Sequence, residues 1–548
     1  MIINNLNKLN KFNSFQRYYS LQTSVKLNDT SNSNNSNGNK NNIKYIVKNN
    51  NDYLKSNKTG DLWELIVGIE VHAQTKTKEK LFSNSLNIGS MEGFKANSRV
   101  SYVDAAFPGS LPVLNEKCVE QAIKTGLAIG GKINKYSYFD RKHYFYQDLP
   151  QGYQITQLNA PIVQGGQLIL DLKDNRKHKI NISHIQLEQD SGKSIHDLHP
   201  TKSLVDLNRA GIGLMEIVSQ PDFTSSEQVG LYITQLQHLL KHIGSSDANM
   251  QFGELRCDVN ISVHKPDTPL GTRVEIKNMI SAKAIVSSID AEAARQIEIL
   301  ENGDIIKRET RGFNQDSGET FHLRTKEDEV DYRFFPDPDL PPLITSEETI
   351  ERLKNQIGEL PQEMRDRLIK QYDISLYDAN ILVNDHKAAK FFEQCISFGG
   401  TKRDPKKLLT WILRDIYKWS NSNNVTDFST ININVETLTQ IYDLVESGYV
   451  SMNPAKEILE MILNGDKRSP KEIVDHLGVS QISDHQLLEE LCRKLVDAHP
   501  NEVKDYHEGK IRLFKFFVGQ IMKETKGRSN PEIVNNYIKK YLDLKKDN

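Results

Sequence analysis

The 548-residue sequence predicts an α+β fold followed by all-helical regions. Between about Leu62 and Leu343, short β-branched runs with period-two polarity alternate with stretches of helical periodicity. Pro336, Pro338, Pro341 and Pro342 then break the pattern, because consecutive prolines remove backbone donors and disfavour helix in the residues before them. Beyond them the apolar residues recur at i, i+3, i+4 to the C-terminus.

The N-terminus precedes this architecture. Residues 1–28 carry Lys8, Lys11, Arg17 and Lys26 with no acid, and Leu6, Leu9, Phe12 and Phe15 at spacings of three, the composition of a mitochondrial presequence. Residues 29–61 are dominated by Asn, Ser and Lys and predict a disordered linker, since they bury too little apolar surface to offset ordering entropy. Trp63 to His72 alternates apolar and polar residues and opens an α+β domain over 62–345. Its further strands are expected at Gln167–Leu172, His178–Gln186, Cys257–Val263 and Thr272–Ile276, and its helices at Glu116–Ile129, Ser226–Ile243 and Ser281–Leu300. A helical domain over 346–475 includes Leu376–Asn384 and one long helix at Pro405–Trp419, and a smaller helical module occupies 476–548.

Composition excludes several classes. The 70 basic and 72 acidic residues leave a net charge of -2, so nucleic-acid contact has to come from local patches rather than from the whole chain. No window approaches the ~20 apolar residues of a transmembrane helix, so no membrane role is expected. Cys118, Cys257, Cys395 and Cys492 lack a CxxC pair, which argues against a disulfide scaffold or a zinc knuckle. No GxxxxGK[ST] occurs, and Gly126 to Gly131 lacks its lysine and hydroxyl. Neither a GxSxG elbow nor a Ser-Ser-Lys amidase signature is present, so the chain is not expected to release ammonia from glutamine itself.

The chemistry concentrates in pairs. Glu70 and His72 stand two apart on a strand and share a face, as do Glu188 and Asp190, Asp258 and Asn260, and Glu275 and Lys277. A sheet face that gathers acids suffers repulsion unless a cation sits among them. Arg141, Lys142, Lys193, Arg209, Arg273 and Lys277 accompany the acids, the mixture that Mg²⁺ and nucleotide phosphates require. The bland alternative is a set of surface ion pairs. The aromatic run His143 to Tyr146 could stack a base, but the core reading is preferred, because tyrosines often bury their rings and keep the hydroxyl wet. Near the C-terminus Lys523, Lys526 and Arg528 surround a predicted helix end, where they could meet an RNA backbone or merely cap the helix.

The runs Gly68 to Gln74, Pro108 to Asn115, Asp140 to Tyr146, Val205 to Gly211, Leu255 to Asp258, Val274 to Asn278 and Asp331 to Asp339, with Gly519 to Lys523, together resemble the successive signatures of the B subunits of glutamyl-tRNA(Gln) amidotransferases. The resemblance covers about Leu62 to Leu542. It implies a cradle-like N-terminal domain related to the glutamine synthetase fold, then a helical domain and a tail that grips tRNA. It implies a heterotrimer in the mitochondrial matrix, with an amidase partner (the A subunit) and a small third partner (the C subunit). There this chain would use ATP and Mg²⁺ to phosphorylate the γ-carboxylate of Glu-tRNA(Gln) and admit ammonia to displace phosphate. By matching position it implies Glu70, His72, Asp258 and Glu275 as metal ligands, with Glu188 as a fifth. By analogy with other phosphoryl-transfer sites, Arg209, Arg273 and Lys277 would offset phosphate charge there. The sequence departs from bacterial members at Gln189, where they carry a carboxylate, at Gln251 to Glu254, and at Gln147. Two other classes predict different behaviour: a noncatalytic RNA-binding scaffold would bind Glu-tRNA without ATP turnover, and a free-standing carboxylate-amine ligase would act without tRNA.

Overall fold

The computed structural model describes residues 47–48, 53–87, 94–172, 174, 176–279, 281–325, 331–425, 427–480, 485–525 and 528–544. The expected presequence and most of the expected linker lie outside the described residues. The linker's last part does not match its expectation: Leu54–Lys55 pairs antiparallel with Leu62–Trp63, and Leu54 is buried. A single leucine with a core slot is enough to start the fold earlier than composition indicates.

A mixed sheet organises the first domain. Its principal strands are β1 (Leu62–Gln74), β2 (Lys177–Gln189), β3 (Gly213–Ser219), β4 (Leu255–His264), β5 (Val274–Met279), β6 (Glu309–Asn314) and β7 (Glu319–Thr325). Across the sheet they run β7-β6-β5-β4-β1-β3-β2, all neighbours antiparallel except β5 with β6. β1 is central and two-faced. Leu65, Val67, Ile69, Val71 and Ala73 point into the core, while Glu64, Gly68, Glu70 and His72 alternate onto the other face.

Helices α1 (Glu116–Ala128), α2 (Ser226–His242) and α3 (Ala282–Glu301) cover the apolar face. Each starts where a side-chain oxygen accepts an otherwise orphaned backbone N–H, at Asn115, Ser225 and Ser281. Ile123, Val229, Ile233, Leu236, Ile285, Ile289 and Ile297 are their core contributions. The glycines at Gly126 and Gly131 serve packing: a Cβ on either would lie 2.5 or 2.6 Å from a Val163 methyl.

Among the described residues three apolar cores are separate, drawn from residues 54–353, 364–474 and 488–542. The first extends past the proline boundary expected at 345. The helix Glu347–Ile357 buries Leu353 in the first core, and Arg352 donates to Glu120 at 2.8 Å. The long helix expected at Pro405–Trp419 is interrupted by a π-helical stretch, Trp411–Ile416, whose wider turn keeps Trp411, Ile412 and Ile416 buried together.

A buried ion pair fastens the loop beside the site. Lys80 and Asp104 have side chains 0% and 2% exposed, with Lys80 Nζ 3.0 Å from Asp104 Oδ2 and 2.8 Å from the Arg99 carbonyl. Burial lowers the Lys80 pKa, and Asp104 opposes that shift. Asp104 also accepts from Ser83 Oγ and the Ser101 amide. Gly211, at φ +82°, clears the way, because a Cβ there would lie 2.7 Å from Asp104 Oδ1. Asp104→Ala strands a buried ammonium and is expected to cost about 3–5 kcal/mol. Denaturant-dependent hydrogen exchange at the sheet amides checks this, and an unchanged exchange profile would refute it.

Candidate active site

The polar face of the sheet is assembled by register. Glu70 lies opposite Asp258 of β4, and His72 lies opposite Glu216 of β3. Glu216 in turn pairs with Gln186 of β2, and Glu275 of β5 pairs with Asn260 of β4. Among the described residues two triads of potential ligand atoms result, each with all atoms within 4.8 Å of one another: His72, Glu188 and Glu216, and Glu70, Asp258 and Glu275. The five residues that the resemblance implies as ligands are thus brought to one face but divided between two clusters, and Glu216 completes one of them.

Each carboxylate is tied by a donor from a neighbouring segment. Asn260 Nδ2 donates to Glu70 Oε1 at 3.0 Å, Gln186 Nε2 to Glu216 Oε2 at 2.7 Å, and Thr310 Oγ1 to Glu275 Oε2 at 3.0 Å. Lys277 Nζ reaches Asp258 Oδ2 at 2.7 Å and lies 3.4 Å from Glu275 Oε1. His72 Nε2 stands 3.4 Å from Glu188 and 3.8 Å from Glu216.

The electrostatics reflect crowding. Burial, then repulsion from Glu216, Asp258 and Glu275, raises the Glu70 pKa. Burial and the Glu216 charge hold Glu188 well above the ordinary carboxyl value. Burial would raise Glu216 too, but His72, the hydrogen bond with Glu188 and the Lys142 charge hold it below. Burial opposes the charge on Lys277, yet Asp258 and Glu275 raise its pKa. Carboxylates this close demand a proton or a cation between them. Hard oxygen donors with one imidazole suit a divalent ion such as Mg²⁺, which accepts carboxylates and retains water in its remaining positions.

The other expected residues are placed less centrally. Arg209 donates to the Ser191 and Gly192 carbonyls at 2.9 and 2.6 Å and lies 3.6 Å from Asp190, which Arg256 holds at 2.6 Å. Asp190 therefore joins arginines rather than Glu188's triad. Arg273 is exposed, one residue before β5. Gln189 follows Glu188 by one position and so falls on the opposite side of β2, which removes its substitution from the ligand face. Lys523 sits in the last turn of the helix Leu513–Glu524, and Lys526 lies outside the described residues. Arg528 is engaged internally, donating to the Gly478 carbonyl at 2.9 Å and the Thr525 carbonyl at 3.3 Å.

Sequence reasoning missed Glu216 because β3 reads as an apolar run. The available signal was the solitary acid between Met215 and Ile217, but its pairing with His72 exists only through strand register. The aromatic run also departs from its expectation. Phe145 is 86% exposed and Tyr146 57%, so neither fills a core corner.

Comparison with known proteins places these features in context. Residues 65–351 match the family model described as the GatB/GatE catalytic domain, and residues 390–542 match the GatB domain. The chain is 72% identical to a Dictyostelium discoideum protein named as the mitochondrial B subunit of glutamyl-tRNA(Gln) amidotransferase, over 92% of this chain and 96% of that one. It is 46% identical to the B subunit of an aspartyl/glutamyl-tRNA(Asn/Gln) amidotransferase of Rickettsia canadensis, covering 89% of this chain and 99% of the relative. The B subunit of the same name from Pelagibacter ubique is 45% identical over 91% of this chain and 100% of its own length. With both domains present in order and such extended identity, the chain belongs to the family of amidotransferase B subunits.

Proposed function

We propose that this chain is the kinase and transamidase component of a glutamine-hydrolysing amidotransferase that converts Glu-tRNA(Gln) to Gln-tRNA(Gln) in the mitochondrial matrix. It works there with an amidase partner, the A subunit, and a small third partner, the C subunit. The observation that carries the reading is the pair of triads on one sheet face, centred on Glu70 and His72 of β1. The basic, acid-free first 28 residues and the mitochondrial name of the Dictyostelium relative support the location.

In this reading Glu70, Asp258 and Glu275, with His72, Glu188 and Glu216, would hold Mg²⁺, and the ion would supply positive charge toward the phosphate oxygens of ATP. Lys277, already in the mouth of one triad, offsets charge that develops on the transferring phosphoryl group, and Arg273 guards the strand entrance. Arg209, tied to the Ser191–Gly192 backbone, acts by fixing that loop and Asp190. A γ-carboxylate oxygen of the tRNA-linked glutamate attacks the γ-phosphorus, and ADP leaves. Ammonia then attacks the acyl carbon and phosphate departs, replacing a poor oxide leaving group by a good one. Phosphoryl transfer of this kind is dominated by positioning and electrostatics, which a rigid sheet supplies. In the tail, Lys523 and Lys526 contact tRNA phosphates, and Arg528 anchors the basic turn beside Gly478.

Glu70→Ala is expected to lower ATP-dependent amidation by roughly 10²–10³-fold in the reconstituted complex while the amidase partner still hydrolyses glutamine. Transfer of γ-³²P from ATP to Glu-tRNA measures it: undiminished transfer in the variant would reject the role given to the triads, and no transfer even with the wild-type chain would favour a scaffold. Lys523→Glu is expected to raise the apparent KM for tRNA and to reduce the slope of log affinity against log salt by about one, with kcat unchanged. Salt titration of tRNA binding checks this.

A further inference from the structure

The arginines expected to offset phosphate charge are committed elsewhere. Arg209 bonds the Ser191 and Gly192 carbonyls, and Arg273 stands exposed ahead of β5. Strand register supplies a different one. Arg256 of β4 lies opposite His72 of β1, which lies opposite Glu216 of β3, so the three form one row across the polar face. Asp258, two residues along β4, shares that face and belongs to the other triad. Asp190 above all, with Glu188 of one triad and Asp258 of the other, raises the Arg256 pKa against the effect of burial. The guanidinium is therefore a fixed positive charge between the two groups of acids.

Asp190 holds this arginine by one end. Its Oδ2 accepts from Arg256 Nη2 at 2.6 Å and its Oδ1 from the Ser191 amide at 2.9 Å, while its own backbone N–H and carbonyl are bonded to Ile212 and Gly211. The carboxylate is 4% exposed and tied on every side, so it aims the guanidinium. Arg256 Nε is buried and has no hydrogen-bond partner among the described residues, although the side chain as a whole is 36% exposed. An arginine that served only to fasten Asp190 would meet it through two parallel donors. A buried charged donor left unmade is costly, and it persists where something that arrives later completes it. Lys277, by contrast, is already engaged by Asp258 at 2.7 Å. The open guanidinium edge suits an anion with oxygens on several sides, which is what a phosphoryl group in transfer presents.

We infer that Arg256 is a catalytic residue of the phosphoryl transfer: its open edge meets an equatorial oxygen of the γ-phosphoryl group, and Asp190 is the residue that positions it. In this step a carboxylate oxygen of the substrate forms the new O–P bond, the bond from phosphorus to the β,γ-bridging oxygen breaks, and its electron pair leaves on ADP. No proton moves, so the step calls for a fixed cation rather than a base. The assignment rests on the kinase reading above, and a planar phosphoryl mimic tests it by binding, without turnover. In the assembled complex with Glu-tRNA and Mg²⁺, the wild type should bind ADP about 10²-fold more tightly when fluoroaluminate is present. Arg256→Ala should bind ADP alone as the wild type does and lose that gain. Its γ-³²P transfer should fall by about 10²–10³-fold and be restored in part by guanidinium ion, but not by sodium chloride. Arg256→Lys, which keeps the charge but not the fork, should lose most of the gain as well. A gain that survives in either variant would overturn the assignment. So would ADP binding alone that weakens by the same factor, which would make Arg256 a tie for Asp190 or a contact of the resting nucleotide. A wild type with neither gain nor transfer would sink the kinase reading and the assignment with it, whereas wild-type transfer that Arg256→Ala leaves intact would sink the assignment alone.

Discussion

Mutual repulsion among carboxylates on one sheet face is the constraint around which this domain is organised. Glu188 stands close to Glu216, and Glu70 close to Asp258 and Glu275, on strands that apolar side chains lock from the opposite side. No flexible arrangement would keep them there, since each could relax outward to water. The rigid alternation of β1 and β4, with Val67, Ile69, Val71, Val259 and Ile261 buried, prevents that escape. The hydrophobic core thus stores the electrostatic tension of the polar face, and a cation or a shared proton is what relieves it.

The donors that tie the carboxylates extend this logic. Asn260, Gln186, Thr310 and Lys277 each come from a strand adjacent to the acid they hold. Adjacent strands therefore orient one another's acids before any ligand arrives. Such preorganisation lowers the reorganisation needed when charge develops, which is the largest lever an electrostatic site possesses. The division into two triads also separates roles: one includes an imidazole, and the other carries a lysine in its mouth.

Much of this was legible in the residues. Period-two polarity identified β1, and i, i+2 spacing singled out Glu70 with His72 and Glu275 with Lys277, because a strand puts such pairs on one face whatever surrounds it. The helices starting at Glu116 and Ser226 were legible for an equally local reason, namely their apolar periodicity. Leu54 was hidden by its Asn-rich surroundings, Glu216 by its apolar strand, and the exposure of Phe145 and Tyr146 by the general habit of aromatic residues to be buried. Arg528 has the composition of an RNA contact, yet its guanidinium is engaged by the Gly478 carbonyl.

By itself the sequence determined the α+β and helical division, the faces on which acids would lie and the family signatures, since each depends on near neighbours along the chain. Only the tertiary structure decided which acids meet. Glu216 lies 144 positions after His72 in the numbering, yet the two are register partners across β3 and β1. Strand order and register arise from the packing of the whole core, so two triads assembled across five strands have no local trace.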